Sequence, residues 1–353
     1  LHNWVHKHLE EGDSVKFLLY HDLKRNANCP VKPEIVPWSR SAKFIKNRFP
    51  SFSLVRFGVP NIKVLKHRLA EFNPDLLVIR DPSRVFSIVT ILIALLLRVR
   101  FVLYTQVPLF SDFGFLKKSL MNSVTTFTKS VIITPVKGSR TKPKMVKRFF
   151  YIPFVMHTEQ SVEKENAVNG KILTIGKYIP RKNHLLLIDA LNELSEEFVF
   201  ELVMIGATTG KGLEEYKQRV TDYIRTKGMQ SYVHQRDVVP YAEMQNLYYE
   251  FDLFVLASRD EEVGVSVLEA MAHGLPVICS DTAGASDFIR QEQNGMVFKS
   301  DDKESLKDAI SFCLRDKTRL LNMGEHSRKI VKHYYSPDTY YNRIQLLINK
   351  ILG

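Results

Sequence analysis

Cysteine is scarce. Cys29, Cys279 and Cys313 have no paired spacing, which excludes a disulfide framework and a cysteine-based metal site and fits a reducing, cytoplasmic setting. Low-complexity tracts and internal repeats are also absent, which sets aside disordered and solenoid architectures. No Asp-x-Asp pair occurs, and no secretory h-region opens the chain. No apolar run reaches the ~20 residues that a membrane span needs. The most apolar stretch, VFSIVTILIALLL over residues 85–97, lies between Arg84 and Arg98. It is expected as a buried core helix, with an interfacial segment as the alternative.

With 353 residues the chain exceeds the ~250 that one hydrophobic core usually serves, so two domains are expected. Charge divides them. Residues 1–150 hold 26 Lys+Arg and 9 Asp+Glu, a balance of +17, whereas the remainder holds 24 and 29, a balance of −5. The segment VKGSRTKPKMVKR supplies Lys137, Arg140, Lys142, Lys144, Lys147 and Arg148 with no acid between them. Such runs form solvated faces or meet anionic headgroups, acidic saccharides or nucleic acid.

Short apolar runs alternate with helical patterns. Strands are expected at residues 14–20, 76–80, 100–105 and 130–135, and the polar segment 157–170 reads as a linker. Beyond it come KILTIGKY (strand), HLLLIDALNEL (helix), FELVMIGA (strand), two further helices, LFVLA (strand), VSVLEAMAHG (helix) and PVICS (strand). This is βαβ grammar: two α/β domains with parallel sheets, and a ligand at the carboxyl ends of the strands in a cleft between the domains. The final helix, with Ile344, Leu347, Ile348 and Ile351 as its apolar stripe, is expected to cross back to the first domain. The boundaries are 1–156, 157–170, 171–335 and 336–353. The chain opens at Leu1 on an amphipathic helix, so a strand and loop that should precede it are expected to be missing.

Three segments carry chemistry. In DEEVGVSVLEAMAHGLP, Gly264 precedes a helix that Gly274 and Pro276 end. Glu269, one turn in, leans back toward the helix N-terminus. The backbone N–H groups from Gly264 to Ser266 suit a phosphate, while carboxylates suit the hydroxyls of sugars on either side of it. The competing reading makes these acids caps and solvated charge, and Asp260 and Glu262 are assigned to it. In TIGKYIPRKNHLLLIDAL a strand ends at Gly176 and a loop bears Lys177, Arg181 and Lys182, cations able to stabilise a departing diphosphate. In SDTAGASDFI, Gly284 follows a strand where backbone could approach a ligand.

In this order the segments resemble the retaining glycosyltransferases of family 4, which have the GT-B fold of two Rossmann-like domains facing a cleft. The similarity is strong over about residues 170–335 and loose before residue 155. Its most specific element, two glutamates separated by seven residues, selects Glu261 and Glu269. The resemblance implies that Glu269 holds the nucleotide ribose, Glu261 the donor sugar hydroxyls, and the Gly264 and Val265 backbone the phosphates. The family's basic pair falls on Lys177 and Lys182, with Lys177 standing where arginine is usual. AGASD departs mildly at Ala283 and Asp287. The family's N-terminal glycine-rich loop has no counterpart, and Thr105 and Gln106 stand where a histidine is common.

The expected function is transfer of a hexosyl group from a nucleotide sugar to a saccharide or lipid-linked saccharide, as in polysaccharide biosynthesis. The nucleotide sugar is a substrate, and neither a cofactor nor a metal is expected. The +17 half points to an acidic acceptor or an anionic membrane surface, hence a peripheral place on the inner face of the cytoplasmic membrane. Another GT-B activity such as a nucleotide-sugar epimerase, a noncatalytic nucleotide-sugar-binding protein and a basic nucleic-acid-binding protein are the alternatives. The last has no recognition motif in its favour, and no nucleic-acid partner is expected.

Overall fold

The computed structural model of the chain describes residues 3–19, 30–110, 115–138, 147–157, 169–207 and 212–352. Cys29, Arg140, Lys142, Lys144 and most of the 157–170 linker lie outside them. The chain divides into two compact units, one formed by Leu1–Val155 with Pro337–Gly353 and the other by Met156–Ser336.

In the first unit α1 (Asn3–Glu10) leads to β1 (Leu18–Leu19), which pairs in parallel with β2 (Glu34–Ile35). Of the strand expected over residues 14–20, the described residues 14–19 show a two-residue ladder. Then come α2 (Arg40–Arg48), α3 (Leu54–Phe57) and α4 (Ile62–Phe72), each capped by a side-chain oxygen, from Ser39, Ser53 and Asn61. Next are β3 (Leu76–Arg80), α5 (Val85–Leu96), β4 (Arg100–Tyr104), α6 (Phe115–Phe127), β5 (Val131–Thr134) and β6 (Phe149–Tyr151). The four strands form an all-parallel sheet in sequence order.

The apolar run over residues 85–97 is not the buried core helix its composition suggests. On α5 the residues turned inward are Ser87, Thr90, Ile93 and Ala94, while Ile88, Leu92, Leu95 and Leu96 are exposed. Two inward hydroxyls are satisfied locally: Ser87 Oγ donates to the Arg80 carbonyl and Thr90 Oγ1 to that of Phe86, each at 2.7 Å. Small residues share the inward face with Ile93, while Ile88, Leu92, Leu95 and Leu96 point away. No helix among the described residues is long and apolar enough to cross a membrane.

The second unit runs through β7 (Lys171–Ile175), α7 (His184–Leu194), β8 (Glu201–Ile205), α8 (Leu213–Thr226), β9 (Val233–Arg236), α9 (Tyr241–Leu247) and β10 (Leu253–Leu256). It continues through α10 (Val265–Ala272), β11 (Val277–Ser280), β12 (Gly295–Phe298), α11 (Lys303–Leu314) and α12 (Lys317–Tyr334). Its six strands are all parallel in the order β12-β11-β10-β7-β8-β9. The central strands are continuous apolar runs because both faces are covered, and Ile172, Leu187, Leu202, Leu253, Val255 and Ile278 join one core. The strand order reverses between β7 and β10, the place where open α/β sheets leave a crevice outside the strand ends. Finally α13 (Pro337–Leu352) belongs to the first unit, where Ile344 and Leu347 pack with Val102, Val131 and Ile133.

Candidate functional site

The loops bearing the sequence-selected residues other than Gly284, which follows β11, leave the carboxyl ends of β7 and β10, the two strands at that reversal. Backbone joins them directly: the Arg259 N–H donates to the Arg181 carbonyl at 2.8 Å. Side chains reinforce the link. Arg259 Nη2 donates to Asn183 Oδ1 at 3.2 Å, Asn183 Nδ2 donates to Asp301 Oδ1 at 3.0 Å, and Arg259 pairs with Asp301. Both loops make sharp left-handed turns, with φ +55° at Asn183 and +44° at Asp260, a region that asparagine and aspartate enter more readily than most residues.

Three predicted residues meet at this junction. Glu261 Oε2 accepts from Lys182 Nζ at 2.7 Å and from Arg181 Nη1 at 2.8 Å. The lysine contact is the stronger, because its side chain is only 13% exposed against 41% for Arg181, whose charge water screens. Burial alone would raise the Glu261 pKa. The hydrogen bond from Lys182 and the charges of Lys182 and Arg181 outweigh it and hold the carboxyl below its ordinary value.

Glycines make the junction possible. A Cβ on Gly176 would lie 2.7 Å from Lys182 Cε and 2.9 Å from its Cδ, so the missing side chain leaves the path along which the lysine stem runs to Glu261. Gly284 donates its N–H to the Glu261 carbonyl at 2.7 Å, and a Cβ there would meet the Glu262 carbonyl oxygen at 2.2 Å. The tight contact at Gly284 is therefore with the chain's own backbone.

Gly264, at φ +69°, opens α10, and Val265 is the first helical residue. No side chain caps this end, so of the two roles expected of Asp260 and Glu262 capping is not seen, while both residues are exposed, as solvated charges are. Asp260 instead turns the backbone and donates its N–H to Thr282 Oγ1 at 3.2 Å. Helix N-termini without a cap present donors and positive potential.

Glu269 sits one turn into α10 but does not join the cation cluster. Its Oε2 accepts from the phenol of Tyr248 at 3.0 Å. Burial raises its pKa, and the Tyr248 bond opposes the rise without cancelling it. His273 stacks on Tyr248 with ring centroids 4.8 Å apart, and its Nδ1 lies 2.7 Å from the Glu269 carbonyl oxygen, which can only accept, so Nδ1 carries the proton. Lys177 is exposed and has no ion-pair partner among the described residues.

Sequence reasoning missed Tyr248, Asn183 and Arg259. No local pattern marks them, because their roles depend on contacts across 21, 118 and 42 residues of chain.

Residues 157–330 match the family model of glycosyl transferases group 1. Among curated relatives, mannosylfructose-phosphate synthase of Agrobacterium fabrum is 27% identical over 190 residues, covering 52% of this chain and 41% of that protein. D-inositol 3-phosphate glycosyltransferase of Corynebacterium urealyticum is 23% identical over 202 residues, covering 55% and 47%. The chain thus spans about half the length of the curated relatives it matches. Among solved structures, a glycosyltransferase of Rickettsia africae superposes with a TM-score of 0.78 at 16% identity, covering 99% of this chain and 93% of that one. HepE of Anabaena, in complex with UDP and glucose, superposes at 0.71 and 15% identity, covering 98% and 94%. The fold is that of the GT-B glycosyltransferases, and the segment holding Lys182, Glu261 and Glu269 is the one that matches glycosyl transferases group 1.

Proposed function

We propose that the chain is a retaining glycosyltransferase of the family 4 type, which moves a hexosyl group from a nucleotide sugar to a saccharide or lipid-linked saccharide. The observation that carries this reading is a cation pair closed on Glu261 at the reversal of strand order, next to an uncapped helix N-terminus, within the matched segment.

Without donor, Glu261 pairs with both Lys182 and Arg181 and leaves a net charge of about +1 for an anion to meet. A diphosphate competes for those cations and for the N–H groups at Gly264 and Val265, and frees Glu261 to accept hydrogen bonds from sugar hydroxyls. Glu269 holds the ribose. As the anomeric C–O bond to phosphate breaks, Lys182 and the exposed Lys177 stabilise the charge on the leaving diphosphate. The acceptor oxygen bonds to the same face of the anomeric carbon, and its proton passes to the leaving phosphate oxygen. No protein nucleophile is needed. No metal is needed either, and turnover is expected to survive EDTA. Two relatives carry a phosphate in their names, and the +17 balance of residues 1–150 favours an anionic acceptor here.

Thermal shifts with UDP-, GDP- and ADP-sugars on wild type and Glu269→Ala test the donor site. One of them should stabilise the wild type and fail on the variant. An equal response of both proteins, or none from the wild type, defeats the assignment.

A further inference from the structure

The first unit carries a surface that its own core does not explain. Helix α2 buries only Ala42. On the opposite face, Phe44 stands 72% exposed between Arg40 and Arg48, its neighbours four residues before and after on the same side of the helix. Phe49, at the end of α2, and Phe57, on α3, are also more than half exposed. The Arg56 guanidinium lies over the Phe57 ring at 5.3 Å. Helix α3 packs on α5, whose exposed Ile88, Leu92 and Leu95 recur at helical spacing. Soluble surfaces rarely gather large apolar side chains on adjacent elements without a partner.

Charge identifies the partner. Residues 35–70 contain eight Lys+Arg and no Asp or Glu. Arg40, Lys43, Arg48 and Arg56 have no carboxylate in ion-pair reach among the described residues. A protein partner would meet the apolar groups and an acidic polymer the cations. Aromatic rings set among unneutralised arginines and lysines satisfy both requirements of an anionic bilayer, where rings enter the headgroup boundary and cations meet phosphates. The outward aliphatic stripe of α5, with its hydroxyls turned inward, extends the apolar part.

We infer that the α2–α3 surface, with the outer stripe of α5 beside it, docks on an anionic lipid leaflet. This inference stands apart from the donor site, since every residue it uses is in the first unit.

Flotation of the full chain tests it, with vesicles of phosphatidylcholine alone and of phosphatidylcholine with phosphatidylglycerol in equal parts. The wild type should float with the anionic vesicles, stay behind with the neutral ones, and be released by high salt. Phe44→Ser combined with Phe57→Ser should cut the bound fraction about tenfold, as should Arg40→Glu combined with Arg48→Glu. All four side chains are exposed, so these variants keep the fold. Val199→Ser, an 89% exposed site in the second unit, should bind as the wild type does. Failure of the wild type to float, an equal loss in Val199→Ser, or flotation indifferent to both phenylalanines overturns the inference. So does binding to RNA or heparin that outcompetes the vesicles and ignores the phenylalanine changes.

Discussion

Lys182 Nζ and Glu261 Oε2 lie 2.7 Å apart across 79 residues of chain, at the junction of the loops after β7 and β10. The contact is short, mostly shielded from water and shared with Arg181, so in the free protein each charge holds the other in place. In the proposed reaction a diphosphate breaks into this arrangement. Glu261→Gln keeps the shape and removes the competing charge. Turnover should fall about 100-fold through loss of the sugar contact, while UDP or GDP, measured by calorimetry, binds at least as tightly as to wild type. Weaker binding of both would contradict the competition.

Gly176 and Gly206 separate function from folding. The three atoms nearest a Cβ on Gly176 all belong to the flexible stem of Lys182, the first at 2.7 Å, whereas one on Gly206 meets the Gly176 carbonyl oxygen at 2.0 Å. Side chains yield and backbone does not. Gly176→Ala should therefore displace the lysine head, lowering turnover about tenfold with under about 1 kcal/mol lost in urea unfolding. Gly206→Ala should cost about 2 kcal/mol or more. Similar losses of stability in both would remove the positioning role of Gly176.

The proposed ribose contact of Glu269 gives its partner Tyr248 a part in the acid limit of donor binding. Burial lifts the Glu269 pKa and the phenol bond restrains it, so the carboxylate charge is lost on acidification at a higher pH than for an ordinary glutamate. Tyr248→Phe removes the restraint and raises the pKa further. Nucleotide-sugar affinity, titrated against pH, should then begin to fall at a higher pH in the variant than in wild type. Coincident profiles would show that Glu269 does not control binding.

Much of the second unit could be read in the sequence because its central strands are uninterrupted apolar runs, Asp302 and Asp316 cap α11 and α12, and Gly228 and Gly274 follow the ends of α8 and α10. Strands β6, β9 and β12 could not. FFY, VHQR and GMVF are short, and their pairing depends on neighbours already in the sheet. Glu261, Lys182 and Gly264 were legible as spacing, but the bond from Lys182 to Glu261 was not, since it arises where two βα loops meet at the reversal of strand order. The error on α5 has a plain cause. Composition made it the most apolar helix, yet the side on which its serine, threonine and alanine fall decides which residues the core receives, and that side faces inward.

His184 links the same loop to stability. It follows Asn183, is buried at 4% exposure, stacks on Tyr178 at 5.1 Å, and its Nδ1 has no hydrogen-bond partner. Burial, with the charge of Lys182 adding to it, lowers its pKa to about 4 from 6.5. Between these values the unfolded chain binds a proton that the native one excludes, so stability is full above pH 6.5 and falls as pH drops toward 4. The shift corresponds to about 3 kcal/mol over that window. His184→Phe keeps an aromatic ring against Tyr178 and cannot titrate. Urea unfolding at pH 7 and pH 4.5 should show the wild type losing stability that the variant keeps, on top of whatever loss the carboxylates impose on both. An equal loss in the two proteins would mean that the buried imidazole takes its proton without unfolding the loop that carries Lys182.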